Sequence, residues 1–266
     1  MPNHVDRFEA VLYPAAGVLA LLAGWHLVAT AGWIPGYLLP PPLKVARSIQ
    51  TSLLDGTLAM HLQPTLTATV AGYLAGSALA VVLAALVSEF RWVERALLLH
   101  LVAVQSIPKV SVAPLVFLWL GFGLSGKVLL VALICFFPVF ANALAGFRAA
   151  DPNLIDLMRA AGAGRAHIWR HVKLPGALSP LFAGLEVSVA FALIGCVVME
   201  FIGATRGIGF LIQDASNTYD LALSFAAVIV LGLVGLAGNG LVRFVRGRLL
   251  FWDREREAGL AGDRHA

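Results

Sequence analysis

Charge is scarce in this 266-residue chain: Asp, Glu, Lys and Arg make up 13% of it, against roughly 25% in ordinary soluble domains. With 59% hydrophobic residues and a mean hydropathy of +0.85, a soluble globular protein is excluded. The net charge of +4 is too dilute for a nucleic-acid binder, whose basic residues cluster on one polar face. There are two cysteines, Cys135 and Cys196, each inside an apolar run with no His or second Cys at a metal-ligand spacing. They are expected to pack as inert thiols, and no metal or cofactor is expected. No Gly-x-x-x-x-Gly-Lys-Ser/Thr phosphate loop occurs, so the chain should hold no nucleotide of its own. The absence of a nucleophile motif or catalytic cluster disfavours an intramembrane enzyme. An ion-gradient-driven secondary transporter is disfavoured, because no internal repeat is visible.

What the chain has is long apolar runs. A helix needs about 20 predominantly apolar residues to cross the hydrocarbon core. Six stretches qualify: Val11 to Ile34, Leu66 to Val87, Ala96 to Leu120, Val128 to Phe147, Ala177 to Ile202 and Leu221 to Val242. None alternates as a membrane β-strand does. The fold class expected is all-α, a polytopic bundle of six transmembrane helices forming one domain over residues 1–266. The first stretch is longer than the 7 to 15 residue core of a secretory signal and is taken as a retained helix.

Basic residues decide the orientation, because cytoplasmic connections keep positive charge during insertion. With the N-terminus inside, fourteen Lys and Arg fall on inner segments and four on outer ones, Lys44, Arg47, Lys127 and Arg206. Both termini are therefore expected in the cytoplasm. The outer connection after span one contains a helix-compatible stretch, Leu43 to Leu54, with Val45, Ile49 and Leu53 at helical spacing.

The inner segment at residues 148–175 is more informative. Asp151-Pro152 is a helix start, since the Asp carboxylate accepts from orphan N–H groups and Pro at the first helical position loses no hydrogen bond. Gly162 suits the left-handed residue that closes such a helix. A second short helix is expected from Arg165 to Val172, with Leu174-Pro175 breaking the chain before span five.

Residues Asp156-Leu157-Met158-Arg159-Ala160-Ala161-Gly162, nine further residues and then Val172-Lys173-Leu174-Pro175 resemble the signature of permease subunits of binding-protein-dependent ABC importers. That signature runs Glu-Ala-Ala, three residues, Gly, nine residues, then Ile-x-Leu-Pro. Asp156 stands in place of Glu, and Leu157 and Met158 in place of the alanines. Ile107-Pro108-Lys109, Ala113-Pro114-Leu115, Trp119-Leu120-Gly121-Phe122-Gly123, Phe136-Phe137-Pro138 and Glu200-Phe201-Ile202-Gly203 are similar to the nitrate, sulfonate and taurine branch. Some members of that branch take up pyrimidines and other heterocycles.

The resemblance implies a type I importer permease in the bacterial inner membrane, without enzymatic activity. Its implied partners are a cytoplasmic ABC ATPase dimer, a periplasmic or lipid-anchored solute-binding protein and a second permease copy, most simply as a homodimer. Asp156, Leu157, Met158, Arg159, Ala160, Gly162 and Ala163 would form the segment that docks on the ATPase. The implied solute is a small anion such as nitrate, taurine or a sulfonate, or a small heterocycle.

An ionisable side chain at bilayer depth is a functional candidate by default. Lys109 follows Pro108 in span three and, beside Gln105 and Ser106, either lines a route for an anion or snorkels to an interface. Glu186 is expected to pair with Lys109 or a neighbouring arginine. Glu200, ahead of Gly203, Gly207 and Gly209, belongs either to an outer gate or to an interfacial loop. His167 and His171 have metal-compatible i, i+4 spacing but lack acidic or Cys companions, which favours a solvated helix face. Gly72 and Gly76 form a Gly-x-x-x-Gly pair suited to close helix approach.

Overall fold

The computed structural model describes residues 4–90, 96, 107–121 and 123–250, and among these the secondary structure is entirely helical. Helix α1 spans His4–Thr30, α2 Pro42–Leu54 and α3 Thr57–Glu89. A 3₁₀ turn, Lys109–Val112, leads into α4, Ala113–Leu120, followed by α5, Leu124–Arg148, and α6, Pro152–Ala160. Helix α7 runs Arg165–Gly203, and α8, Ile208–Asn217, and α9, Leu221–Leu249, complete the described chain.

Helices α3, α5, α7 and α9 are long and apolar enough to cross a membrane, and they correspond to the second, fourth, fifth and sixth expected spans. The apolar part of α1 is Ala15–Thr30. Most of the third expected span lies outside the described residues. Its described portion is not one continuous helix. Pro108 has extended backbone (φ −61°, ψ 104°), and the chain tightens into the 3₁₀ turn before α4, as expected where a proline cannot donate to the preceding turn.

The core is the contact of α3, α5 and α7. Small residues let the backbones approach: a β-carbon on Gly72 would lie 2.5 Å from Val131 Cβ, and one on Gly76 2.7 Å from Ala132 Cα. The Gly-x-x-x-Gly pair is thus the seam between α3 and α5. Further along, Ala80 and Ala84 of α3 meet Val139, Phe140, Ala143 and Phe147 of α5 and Ala177 and Leu181 of α7.

Helix α2 lies against α3 and α9, burying Val45 while Leu53 stays exposed. Asp55 Oδ1 accepts from Thr57 N at 2.9 Å where α3 begins, and this contact holds the Asp55 carboxyl below its usual range. Helix α1 is peripheral. Trp25 Nε1 donates to Pro40 O at 3.1 Å, and its ring stacks on Phe225.

Leu174-Pro175 does not end a helix. A π turn over Trp169–Lys173, in which Leu174 N donates to Trp169 O, carries α7 without interruption from Arg165 into the bundle. The wider turn takes up the mismatch of a residue that has no N–H to give.

Candidate functional site

The segment between α5 and α7 has the local chemistry its sequence encodes. Asp151 Oδ1 accepts from Asn153 N at 2.8 Å, and Pro152 opens α6. At the other end Gly162 adopts φ +81°. Gly162 N donates to Arg159 O and Ala163 N to Met158 O, each at 2.9 Å, the Schellman arrangement. No residue of α6 is buried, and Leu157 is 65% exposed. Asp156 and Arg159 pair at 3.1 Å on the exposed surface, while Ala160 and Gly162 are exposed and Met158 and Ala163 half-buried.

Behind α6 the chain is anchored. Ile168 is buried, Trp169 stacks on Phe147, and Lys173 bridges to Glu89 at the end of α3 at 2.5 Å. A cavity of about 1340 Å³ opens between these elements, with Arg148, Asp156, Arg159 and Arg165 on its walls. The rings of His167 and His171 stack 4.1 Å apart, and no group of three metal-ligating side chains occurs among the described residues.

Lys109 places its ammonium 4.6 Å from the centroid of the Phe137 ring. Phe137 lies near the middle of α5, about 20 Å along the helix from Leu124. Gln105 and Ser106 lie outside the described residues. Glu186 does not reach Lys109. It pairs with Arg243 at 3.2 Å and Arg246 at 3.4 Å, both on α9.

At the bundle end opposite α6, Glu200 is fully buried. Its Oε1 receives Lys127 Nζ at 2.8 Å and Thr65 Oγ1 at 2.9 Å, and its Oε2 receives Gly209 N at 2.8 Å. Thr65 Oγ1 in turn accepts from Ile208 N at 2.8 Å, and His61 Nδ1 from Gly207 N at 3.2 Å. Three successive amides at the start of α8 are therefore held by side chains of α3 and α7. Gly207 is required twice over: its φ is +139°, and the Glu200 carboxylate occupies the space a β-carbon would take.

Lys127 was not among the residues expected to matter, having been counted as an outer-loop cation. The available signal was its place only three residues into α5, where a charge inside an apolar helix calls for a partner. A small cavity of about 180 Å³, bordered by Lys127, Pro64 and Arg206, lies beside this cluster.

Residues 72–250 match the family described as binding-protein-dependent transport system inner membrane component. The chain belongs to this family. It is the permease subunit of an ABC importer and not itself an enzyme. Over 253 residues the permease is 36% identical to a riboflavin transport system permease protein of Chloroflexus aurantiacus, covering 94% of this chain and 93% of that one. A putative aliphatic sulfonates transport permease protein of Bacillus subtilis is 30% identical over 94% of this chain and 89% of its own. A formylaminopyrimidine transport permease protein of Halalkalibacterium halodurans is 30% identical over 95% of this chain and 100% of its own.

Proposed function

We propose that the permease admits a small organic solute, delivered by a periplasmic or lipid-anchored binding protein, through a pathway that two permease copies form together and a cytoplasmic ATPase dimer drives. Supporting relatives divide between sulfonates and flat heterocycles in their names, which defines the range of solutes to test. Both termini and α6 face the cytoplasm in this reading, as the distribution of basic residues favours.

The observation that carries the reading is the state of α6. This helix is rigidly closed at both ends, exposes Leu154 and Leu157, and buries none of its residues in its own chain. An amphipathic helix so displayed is suited to a groove on a partner. Asp156, Leu157, Met158, Arg159, Ala160, Gly162 and Ala163 are the residues assigned to that contact. The Lys173–Glu89 bridge and the unbroken α7 then connect the docked helix to the bundle, so that movement of the ATPase reaches the spans.

On the solute side, Lys109 lines the route, and Glu200 holds the outer helix α8 in place rather than meeting solute. The test is uptake into proteoliposomes containing permease, ATPase and binding protein. Accumulation that requires ATP and all three components is expected. Accumulation that persists without the ATPase and follows a proton or sodium gradient overturns the reading.

A further inference from the structure

Between the middle of α5 and the second half of α7 a cavity of about 450 Å³ opens, walled by Ile134, Phe137 and Pro138 of α5, Phe191 and Ile194 of α7, and Lys109. Its volume lies within the 300–1,000 Å³ usual for small-molecule sites. Every wall named is apolar except one. Lys109 is half-buried, its ammonium sits over the Phe137 ring, and among the described residues it has no carboxylate partner. Glu89 is taken by Lys173, Glu186 by Arg243 and Arg246, and Glu200 by Lys127.

A cation at this depth, facing open space over an aromatic face, is poorly compensated. The ring offsets part of its desolvation, and an anion entering the cavity offsets the remainder. Among the described residues, the cavity offers such an anion one charged donor, Lys109. A small inorganic oxyanion would surrender its whole hydration shell for one contact, at a net cost. A zwitterion would bring its own ammonium beside Lys109, where no carboxylate among the described lining residues meets it. A neutral heterocycle would leave Lys109 without a counter-charge. A solute that joins one acidic group to an aromatic or branched apolar body satisfies both features, because it dehydrates only its head and gains apolar burial for the rest.

We propose that this cavity is a solute-binding site of the permease itself, selective for organic monoanions, with the acidic group on Lys109 and the apolar body between Phe137 and Phe191. The proposal rests on the importer function above and adds a selectivity step that does not depend on the binding protein.

The test uses the complex of permease and ATPase in phosphatidylcholine nanodiscs without binding protein, titrated calorimetrically with benzenesulfonate, methanesulfonate, inorganic sulfate and taurine. Benzenesulfonate is expected to bind about tenfold or more tighter than the other three, the factor one well-placed interaction supplies. Lys109→Met should abolish benzenesulfonate binding, whereas Lys109→Arg, which keeps the charge, should retain most of it. Ile194→Trp fills the cavity from the far wall and leaves the ammonium in place, so it decides the matter even if Lys109→Met fails to assemble. It should exclude benzenesulfonate without lowering the melting temperature of the complex.

Equal binding of sulfate or taurine, or benzenesulfonate binding that survives Lys109→Met or Ile194→Trp, overturns the site. ATP-driven uptake in the complete system is measured in parallel. Intact uptake without benzenesulfonate binding rejects the site alone, while uptake that no longer needs ATP rejects the importer reading.

Discussion

Lys127 of α5 and Glu200 of α7 form an ion pair at 2.8 Å with both side chains removed from solvent. The pair does more than cancel two charges, because Glu200 also holds Gly209 N and, with Thr65, fixes the first turn of α8. Four helices meet at one carboxylate.

Removing either partner leaves the other buried and uncompensated, which costs about 3–5 kcal/mol. Lys127→Met and Glu200→Gln should each lower the melting temperature of the purified permease. The double variant should lose clearly less than the sum of the two, the signature of direct coupling. Additive losses in this double-mutant cycle count against the pair as the organising contact.

The backbone at Gly162 leads to a prediction about docking rather than stability of the bundle. A β-carbon there meets no atom within 4 Å, so the penalty is purely conformational, about 1–2 kcal/mol for a left-handed non-glycine residue. Gly162→Val should reduce copurification of the ATPase while leaving membrane-inserted yield near wild type, and Gly162→Asn, better suited to φ +81°, should recover much of it. Undiminished copurification with Gly162→Val removes this turn from the coupling role.

Asp156 and Arg159 are 72% and 67% exposed, and a pair so solvated contributes only about 0–1 kcal/mol to folding. Asp156→Ala and Leu157→Ala are thus expected to leave the melting temperature almost unchanged and to weaken ATPase binding, measured by pull-down against the isolated ATPase. A large drop in melting temperature would instead mean that α6 packs within its own chain.

The α3–α5 seam should be intolerant of added volume. Gly76→Ala sets a methyl group against the Ala132 backbone, and overpacking of this kind costs about 1–3 kcal/mol. Gly232→Ala in α9, where nothing lies within 4 Å, serves as the control. Folded yield after detergent extraction should fall for Gly76→Ala and not for Gly232→Ala.

Features governed by composition or by groups a few residues apart are legible in the chain before it folds. Apolar length marked α3, α5, α7 and α9, because hydrocarbon thickness sets a minimum run. Asp151, Pro152 and Gly162 marked the ends of α6, because caps and left-handed closures form within one turn of the chain. The Gly72–Gly76 pair marked a helix seam, though not which helix would fill it.

Which side chains pair across the bundle is fixed only by packing. Glu186 meets Arg243 and Arg246, 57 and 60 residues away, and Glu200 meets Lys127 at a separation of 73. Spans of nearly uniform apolarity carry no periodic signal that fixes their rotation or depth, so the register of one against another is set by how their side chains interdigitate. The Leu174-Pro175 pair shows the same limit at short range. Proline predicts an interruption locally, but the π turn at Trp169–Lys173, with Trp169 stacked on Phe147 of a neighbouring helix, lets the helix continue.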